Sequence, residues 1–199
     1  MAAARWRRVF VGSAGVFAAL ALLVYFRGSL PGERSLYEAV VAGAAPGVVT
    51  IFWWINWLGS KWILLPATLL LLWAGPPETR RRWWLWVGVM IAAPILEWLG
   101  KGLIGRPRPL GVGLGFPSGH ATAASAYFFL AAYLVSKRLD RPAARVILLW
   151  VLAAILVVLV GIARIVLQAH WPGDALGGTA LGLACVSLAA WQHERRVLE

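Results

Sequence analysis

Residues Ala144–Leu167 read ARVILLWVLAAILVVLVGIARIVL. No charge interrupts this stretch between Arg145 and Arg164. A bilayer core needs about 17–25 apolar residues per helix, so the stretch reads as a membrane-spanning helix. A guanidinium late in such a run faces a bundle interior or a polar cavity, because lipid will not solvate it. The stretch therefore predicts a helix packed among other helices, with a polar site near its C-terminal end. Five further runs are apolar enough for the same reading: Val9–Phe26, Gly59–Gly75, Trp83–Ile104, Gly119–Ser136 and Ala175–Trp191. The fold expected is all-α: a single domain over residues 1–199, forming an integral membrane bundle of six transmembrane helices. Ile51–Leu58, with Trp53, Trp54 and Trp57, is too short to span. It reads as an interfacial lead-in to the second span, or as the start of a longer second helix. Basic residues and then an apolar run open the chain. No A-x-A-like cleavage site follows Phe26, so this run reads as an uncleaved anchor.

Composition agrees. The chain of 199 residues is 61% hydrophobic, against about half for a soluble domain. Its mean hydropathy is +0.75. The thirteen Trp, many at the ends of runs, fit an aromatic belt at the interface. A net charge of +11 could suggest a nucleic-acid partner. Its placement in short loops between apolar runs argues instead for a lipid bilayer and no nucleic acid. The single cysteine, Cys185, sits inside an apolar run, so no internal disulfide is possible. Richness in Ala, Arg, Gly and Trp points to a bacterial source. Nothing here signals an oligomeric state.

Loop charge sets the orientation. Arg5, Arg7 and Arg8 precede the first run; Arg80, Arg81 and Arg82 follow the second. Lys137, Arg138, Arg141 and Arg145 follow the fourth, and Arg195 and Arg196 follow the sixth. Twelve of the nineteen basic residues thus fall on one side. The positive-inside rule places that side, with both termini, in the cytoplasm. The loops carrying Arg108, Pro117–His120 and His170 then face outward.

Three motifs share that outer face. Lys101-x6-Arg108-Pro109 comes first; Pro107 and Pro109 bracket Arg108 and stiffen its loop. Arg suits bidentate phosphate binding and Lys a point charge. Arg106 falls outside the spacing and reads as peripheral. Pro117-Ser118-Gly119-His120 opens the fourth span. Ser118 is a natural N-cap there, and the same helix start offers free amides to an anion. Gly119 would let a phosphate approach the backbone. Arg164-x5-His170-x3-Asp174 is the third. Pro172 and Gly173 should end the fifth helix, and Asp174 could cap the sixth. The sharper reading pairs Asp174 with one ring nitrogen of His170, leaving the other free to attack. Glu97, four residues before Lys101, reads as its structural partner. Gly178 and Gly182 make a small-xxx-small pattern suited to helix packing. No His, Asp or Glu spacing suits a hydrolytic metal pair.

These motifs, in this order, resemble the type 2 phosphatidic acid phosphatase superfamily, whose pattern is K-x6-RP, PSGH and SR-x5-H-x3-D. The resemblance implies a helical bundle and a membrane lipid phosphatase without metal or cofactor. It implies that His170 attacks phosphorus to form a phosphohistidine, that Asp174 orients it, and that His120 protonates the leaving group. Lys101, Arg108, Ser118, Gly119 and Arg164 would hold the phosphate oxygens. The substrate would be a lipid phosphomonoester or diphosphate: undecaprenyl diphosphate, phosphatidylglycerophosphate or phosphatidate. The protein would sit in the bacterial plasma membrane with its site on the extracytoplasmic side. Ala163 departs from the pattern's Ser and should reduce catalysis without abolishing it. Two rivals remain open: a lipid phosphotransferase using the same phosphohistidine, and a non-catalytic lipid-binding protein. The His pair speaks against the second, because binding needs cations but no nucleophile. The one-sided polar groups disfavour a transporter.

Overall fold

The computed structural model describes residues 2–74, 77–137 and 143–196. These residues form nine α-helices: α1 (Ala2–Arg27), α2 (Glu33–Ala42), α3 (Pro46–Asn56), α4 (Lys61–Ala74), α5 (Pro77–Arg81), α6 (Trp83–Ile104), α7 (Gly119–Ser136), α8 (Ala143–Val166) and α9 (Pro172–Arg196). Among the described residues there is no strand, only an isolated bridge between Pro107 and Leu114. Four helices are long and apolar enough to cross a membrane: α1, α6, α8 and α9. The bent pair of α2 with Pro46–Gly59, turning through 114°, brings the number to five.

Five of the six expected runs coincide with helices, and α6 and α7 match residue for residue. The run Gly59–Gly75 departs. Its helix, α4, begins at Lys61 and has 14 residues, about 21 Å of rise against a hydrocarbon core of about 30 Å. Gly75 lies outside the described residues. Ile51–Leu58 is itself helical, forming the end of α3 and part of a 3-10 turn at Trp57–Gly59. Ser60 is extended and separates that turn from α4, so no single long helix starts there.

The central helix is α9, which packs against α1, α6, α7 and α8. Small residues let it sit there. A Cβ on Gly178 would lie 2.4 Å from the Ser118 carbonyl oxygen, and one on Gly182 would lie 2.6 Å from Ser125 Cβ. These two glycines therefore set the approach of α7 to α9, as their spacing suggested. The more polar α7 is buried by its neighbours, and its hydroxyls are satisfied. Ser125 Oγ donates to the Thr179 carbonyl at 2.8 Å and Thr122 Oγ1 to the Ser118 carbonyl at 2.9 Å. The outside of α8 is apolar and exposed at Ile147, Leu148, Val151, Leu152, Ile155 and Val158, a surface that lipid would cover. Cys185 is buried and free.

The two ends of the bundle differ. At one, Trp6 meets Tyr133 edge-on at 5.2 Å, and Lys137 pairs with Glu194. Arg196 lies over the Trp84 ring at that end too. Basic positions near the chain start, α6 start, α7 end and α9 end thus gather together, while Arg138 and Arg141 lie outside the described residues. The three motifs lie at the other end.

The link from α8 to α9 differs from expectation. The fifth helix stops at Val166, before Pro172, and Gln168 takes a positive φ of 54° in the turn that follows. Pro172 is the first residue of α9, where its missing N–H is harmless. Asp174 is therefore not the N-cap. It sits in the first turn, and its carboxylate accepts the Trp171 N–H at 3.1 Å, the back-bonding half of a capping box.

Candidate active site

The backbone draws the motifs together. Gly105, at φ +65°, caps α6 by donating to the Lys101 carbonyl at 2.9 Å. The chain then loops back to α7, held by Gly115 N–H on the Arg106 carbonyl at 2.7 Å and Arg108 N–H on the Gly113 carbonyl at 3.2 Å. Ser118 N–H donates to the Asp174 carbonyl at 2.9 Å, which ties the second motif to the third. His170 N–H donates to the Arg164 carbonyl at 3.1 Å, which folds the third motif onto itself.

His170 and Asp174 are buried, at 1% and 0% exposure. Asp174 Oδ2 lies 3.3 Å from His170 Nδ1. With Nδ1 so engaged, Nε2 is left to act. Burial lowers the His170 pKa to about 4; Asp174 opposes the shift, and Arg164 and Arg108 add to it. The imidazole is therefore neutral at ordinary pH, the form a nucleophile needs. This fixes the acid limb of the pH profile. With His170 as the nucleophile, protonation would remove its attacking lone pair, so kcat/KM should fall as pH drops through about 4. A limb centred near the ordinary imidazole value would contradict this environment.

Near the pair lie several polar donors, a cradle that would suit an anion. Ser118 occupies the N-cap position of α7 in extended conformation, yet its hydroxyl caps nothing. The buried Ser118 Oγ has no partner among the described residues, and neither does the buried Arg164 Nε. Arg164 Nη1 is held by Asn56 Oδ1 at 2.6 Å. The amides of Gly119, His120 and Ala121 precede the first helical bond, Thr122 N–H to the Ser118 carbonyl. They present the positive end of α7 to the same space. Arg108 is half-buried, with Nε on the Leu114 carbonyl at 3.1 Å. His120 lies within electrostatic reach of Arg164, His170, Lys101 and Arg108. Its carbonyl would lie 2.8 Å from a Cβ on Gly59, so that glycine lets the chain pass beneath it.

Lys101 pairs with Glu97, as their spacing suggested. A Cβ on Gly119 would lie 2.9 Å from Glu97 Oε1, so the pair abuts the α7 start. Two cavities flank the site. One of about 240 Å³ is bounded by Ser60, Lys61, Trp62, Glu97 and His120. Another of about 450 Å³ is bounded by Trp98, Lys101, Leu103, Arg108 and Leu114. Both combine apolar walls with a cation, a lining suited to an amphiphile.

Three polar residues here escaped the sequence reading. Arg106, expected to be peripheral, is 6% exposed, and its Nη1 reaches Asp174 Oδ1 at 2.9 Å. Its carbonyl accepts the Gly115 N–H, and Arg108, two residues on, is half-buried. Glu33, 73 residues upstream of Arg106, is buried beside it, and no local pattern links the two. Asn56 could have been found: it is an amide in an otherwise apolar, Trp-rich segment, where polar groups usually have partners.

Residues 110–198 match the family model described as the PAP2 superfamily. That stretch includes Ser118, Gly119, His120, Arg164, His170 and Asp174. Phosphatidylglycerophosphatase B of Bacillus subtilis (strain 168) is 29% identical over 175 residues, covering 84% of this chain and 86% of that protein. The crystal structure of a transmembrane PAP2 type phosphatidylglycerolphosphate phosphatase from Bacillus subtilis matches with a TM-score of 0.84 and 27% identity, over 94% of this chain and 96% of that one. That of Aquifex aeolicus LpxE matches with a TM-score of 0.62 and 19% identity, over 79% and 93%, a likeness of fold.

Proposed function

We propose that this chain is a metal-independent lipid phosphatase working through a phosphohistidine on His170, a reading supported by the match of residues 110–198 to the PAP2 superfamily model and by four helices long and apolar enough to cross a membrane. One observation carries the reading: a buried histidine, held through Nδ1 by Asp174, shares one end of the bundle with a buried hydroxyl, Ser118 Oγ, and a buried guanidinium nitrogen, Arg164 Nε, that have no partner among the described residues. In this mechanism Nε2 of His170 attacks phosphorus, and the bond to the leaving oxygen breaks. His120 gives that oxygen its proton, then takes a proton from the water that cleaves the N–P bond. Lys101, Arg108, Arg164, the Ser118 hydroxyl and the α7 amides hold the charge that builds on the equatorial oxygens. These are groups for an anion. Among the described residues no three His, Cys, Asp or Glu side chains gather as ligands would.

Phosphatidylglycerophosphate is the first substrate to test, on the strength of the relative's name. Undecaprenyl diphosphate and phosphatidate follow. Purified protein in excess EDTA should release phosphate from at least one of these, and orthovanadate should inhibit by mimicking five-coordinate phosphorus. Activity lost in EDTA and restored by magnesium would refute the metal-free mechanism.

The topology proposed with this activity has six crossings, both termini in the cytoplasm and the site outside. The gathering of basic positions opposite the motifs supports it. Val112, in the loop after α6, and Arg80, in α5 before it, are exposed. In a Cys185→Ala background, Val112→Cys should react with a membrane-impermeant thiol reagent on intact cells, and Arg80→Cys should not. The reverse pattern would place the site on the cytoplasmic side.

A further inference from the structure

Behind the His170–Asp174 pair lies a second buried carboxylate, joined to the first by one guanidinium. Arg106 Nη1 donates to Asp174 Oδ1 at 2.9 Å. The same guanidinium grips Glu33 with both ends, Nη1 to Oε1 at 3.2 Å and Nη2 to Oε2 at 2.5 Å. The side chains of Arg106, Glu33 and Asp174 are 4%, 1% and 0% exposed. Glu33 is anchored further by the Gly173 N–H at 2.6 Å and the Leu30 N–H at 3.0 Å. The Trp171 ring lies 5.4 Å from the Arg106 guanidinium, and its Nε1–H donates to the Pro107 carbonyl at 3.2 Å.

Two consequences follow for Asp174. Its Oδ1 is taken by Arg106, while Oδ2 faces His170 Nδ1 and the Trp171 N–H. The carboxylate therefore cannot rotate without losing a bond on one side or the other. Gly115 leaves just enough room for it, since a Cβ there would lie 2.6 Å from Oδ2. The second consequence is one of charge. A lone buried cation on Asp174 would cancel the charge that must stabilise the imidazole as it turns positive during attack. Glu33 offsets that cation, so the three groups sum to one negative charge, directed at His170.

We propose that Arg106 and Glu33 are positioning residues for the nucleophile: Arg106 locks the rotation of Asp174, and Glu33 neutralises Arg106 so that Asp174 keeps its charge for His170. The turnover arm of the test rests on the phosphatase reading. A staple that only joined α2 to α9 would touch stability and leave the imidazole unchanged.

The test uses the full-length protein in detergent, with Glu33→Gln, which keeps the shape of the side chain, Arg106→Gln and Arg106→Lys. Glu33→Gln and Arg106→Gln should each lower kcat by about 10–100-fold, as partners behind a reacting group do, with KM within about twofold of wild type. Arg106→Lys, which restores the charge and one bond, should recover part of the loss. In an Asp174→Asn background, Arg106→Gln should cause no further loss. The second readout needs no substrate. With nitrogen-15 in the histidines, His170 should show Nδ1 protonated and Nε2 bare in the wild type, with the other tautomer appearing in Arg106→Gln. Variants that lower the melting temperature but leave kcat and the His170 nitrogen signals unchanged would overturn the proposal. So would losses that multiply independently with Asp174→Asn. A wild type that released phosphate from no lipid would count against the phosphatase reading, while the nitrogen signals would still decide this one.

Discussion

His170→Ala should lower kcat by about a million-fold, the scale seen when the nucleophile of a hydrolase is removed. Nε2 of this residue is the atom proposed to bond to phosphorus, and nothing near it can substitute. His120 shares the cradle but sits on α7, with no carboxylate in contact among the described residues. The cradle itself does not depend on the imidazole. Ser118, Arg164 and the first α7 amides are positioned by α7 and α8 and by Asn56. The variant should therefore still bind orthovanadate or inorganic phosphate and melt near the wild-type temperature. Phosphate release at a wild-type rate would remove His170 from the mechanism. Joint loss of turnover, anion binding and thermal stability would mean that the imidazole serves the fold.

Asp174→Asn should be the next largest, about ten-thousand-fold in kcat, by analogy with loss of the orienting carboxylate in a catalytic triad. The amide is nearly isosteric, so Trp171 N–H can keep an acceptor and α9 can keep its first turn. The charge does not survive. An amide nitrogen turned toward Nδ1 would favour the wrong tautomer and place a proton on Nε2. An amide oxygen turned toward Nδ1 would set the amide nitrogen against Arg106, donor facing donor. Either orientation leaves one buried group unsatisfied. KM should change little, because Asp174 lies behind the histidine and away from the cradle. A rise in KM at unchanged kcat would recast Asp174 as part of the binding surface.

Much of this site was legible because its chemistry is expensive in a membrane. A charge such as Arg164, at the end of an apolar run, has few tolerable environments, and its neighbours in sequence share them. The boundaries of α6 and α7 were legible for a related reason: Arg82 and Gly105 bracket one run, and Ser118 and Lys137 the other. Partnerships across the fold were not. Glu33 is an ordinary polar residue after the first span until α2 folds it against Gly173. Arg106 lies outside the motif spacing that marks Arg108, and only the fold brings it behind Asp174. The second run was less legible for another reason. Hydropathy alone does not register the extended Ser60, which lies inside Gly59–Gly75 and leaves α4 to begin at Lys61.

The phosphohistidine is the central claim, and it can be trapped. His120→Ala should still form the intermediate from an aryl phosphate, whose leaving group needs no proton, and should hydrolyse it slowly for want of a base. Quenching that variant in alkali, where phosphohistidine survives, and mapping its peptides by mass should place one phosphoryl group on His170, absent when His170→Ala is added. Phosphate on any other residue, or turnover with no phosphorylated enzyme at any time after mixing, would contradict the account.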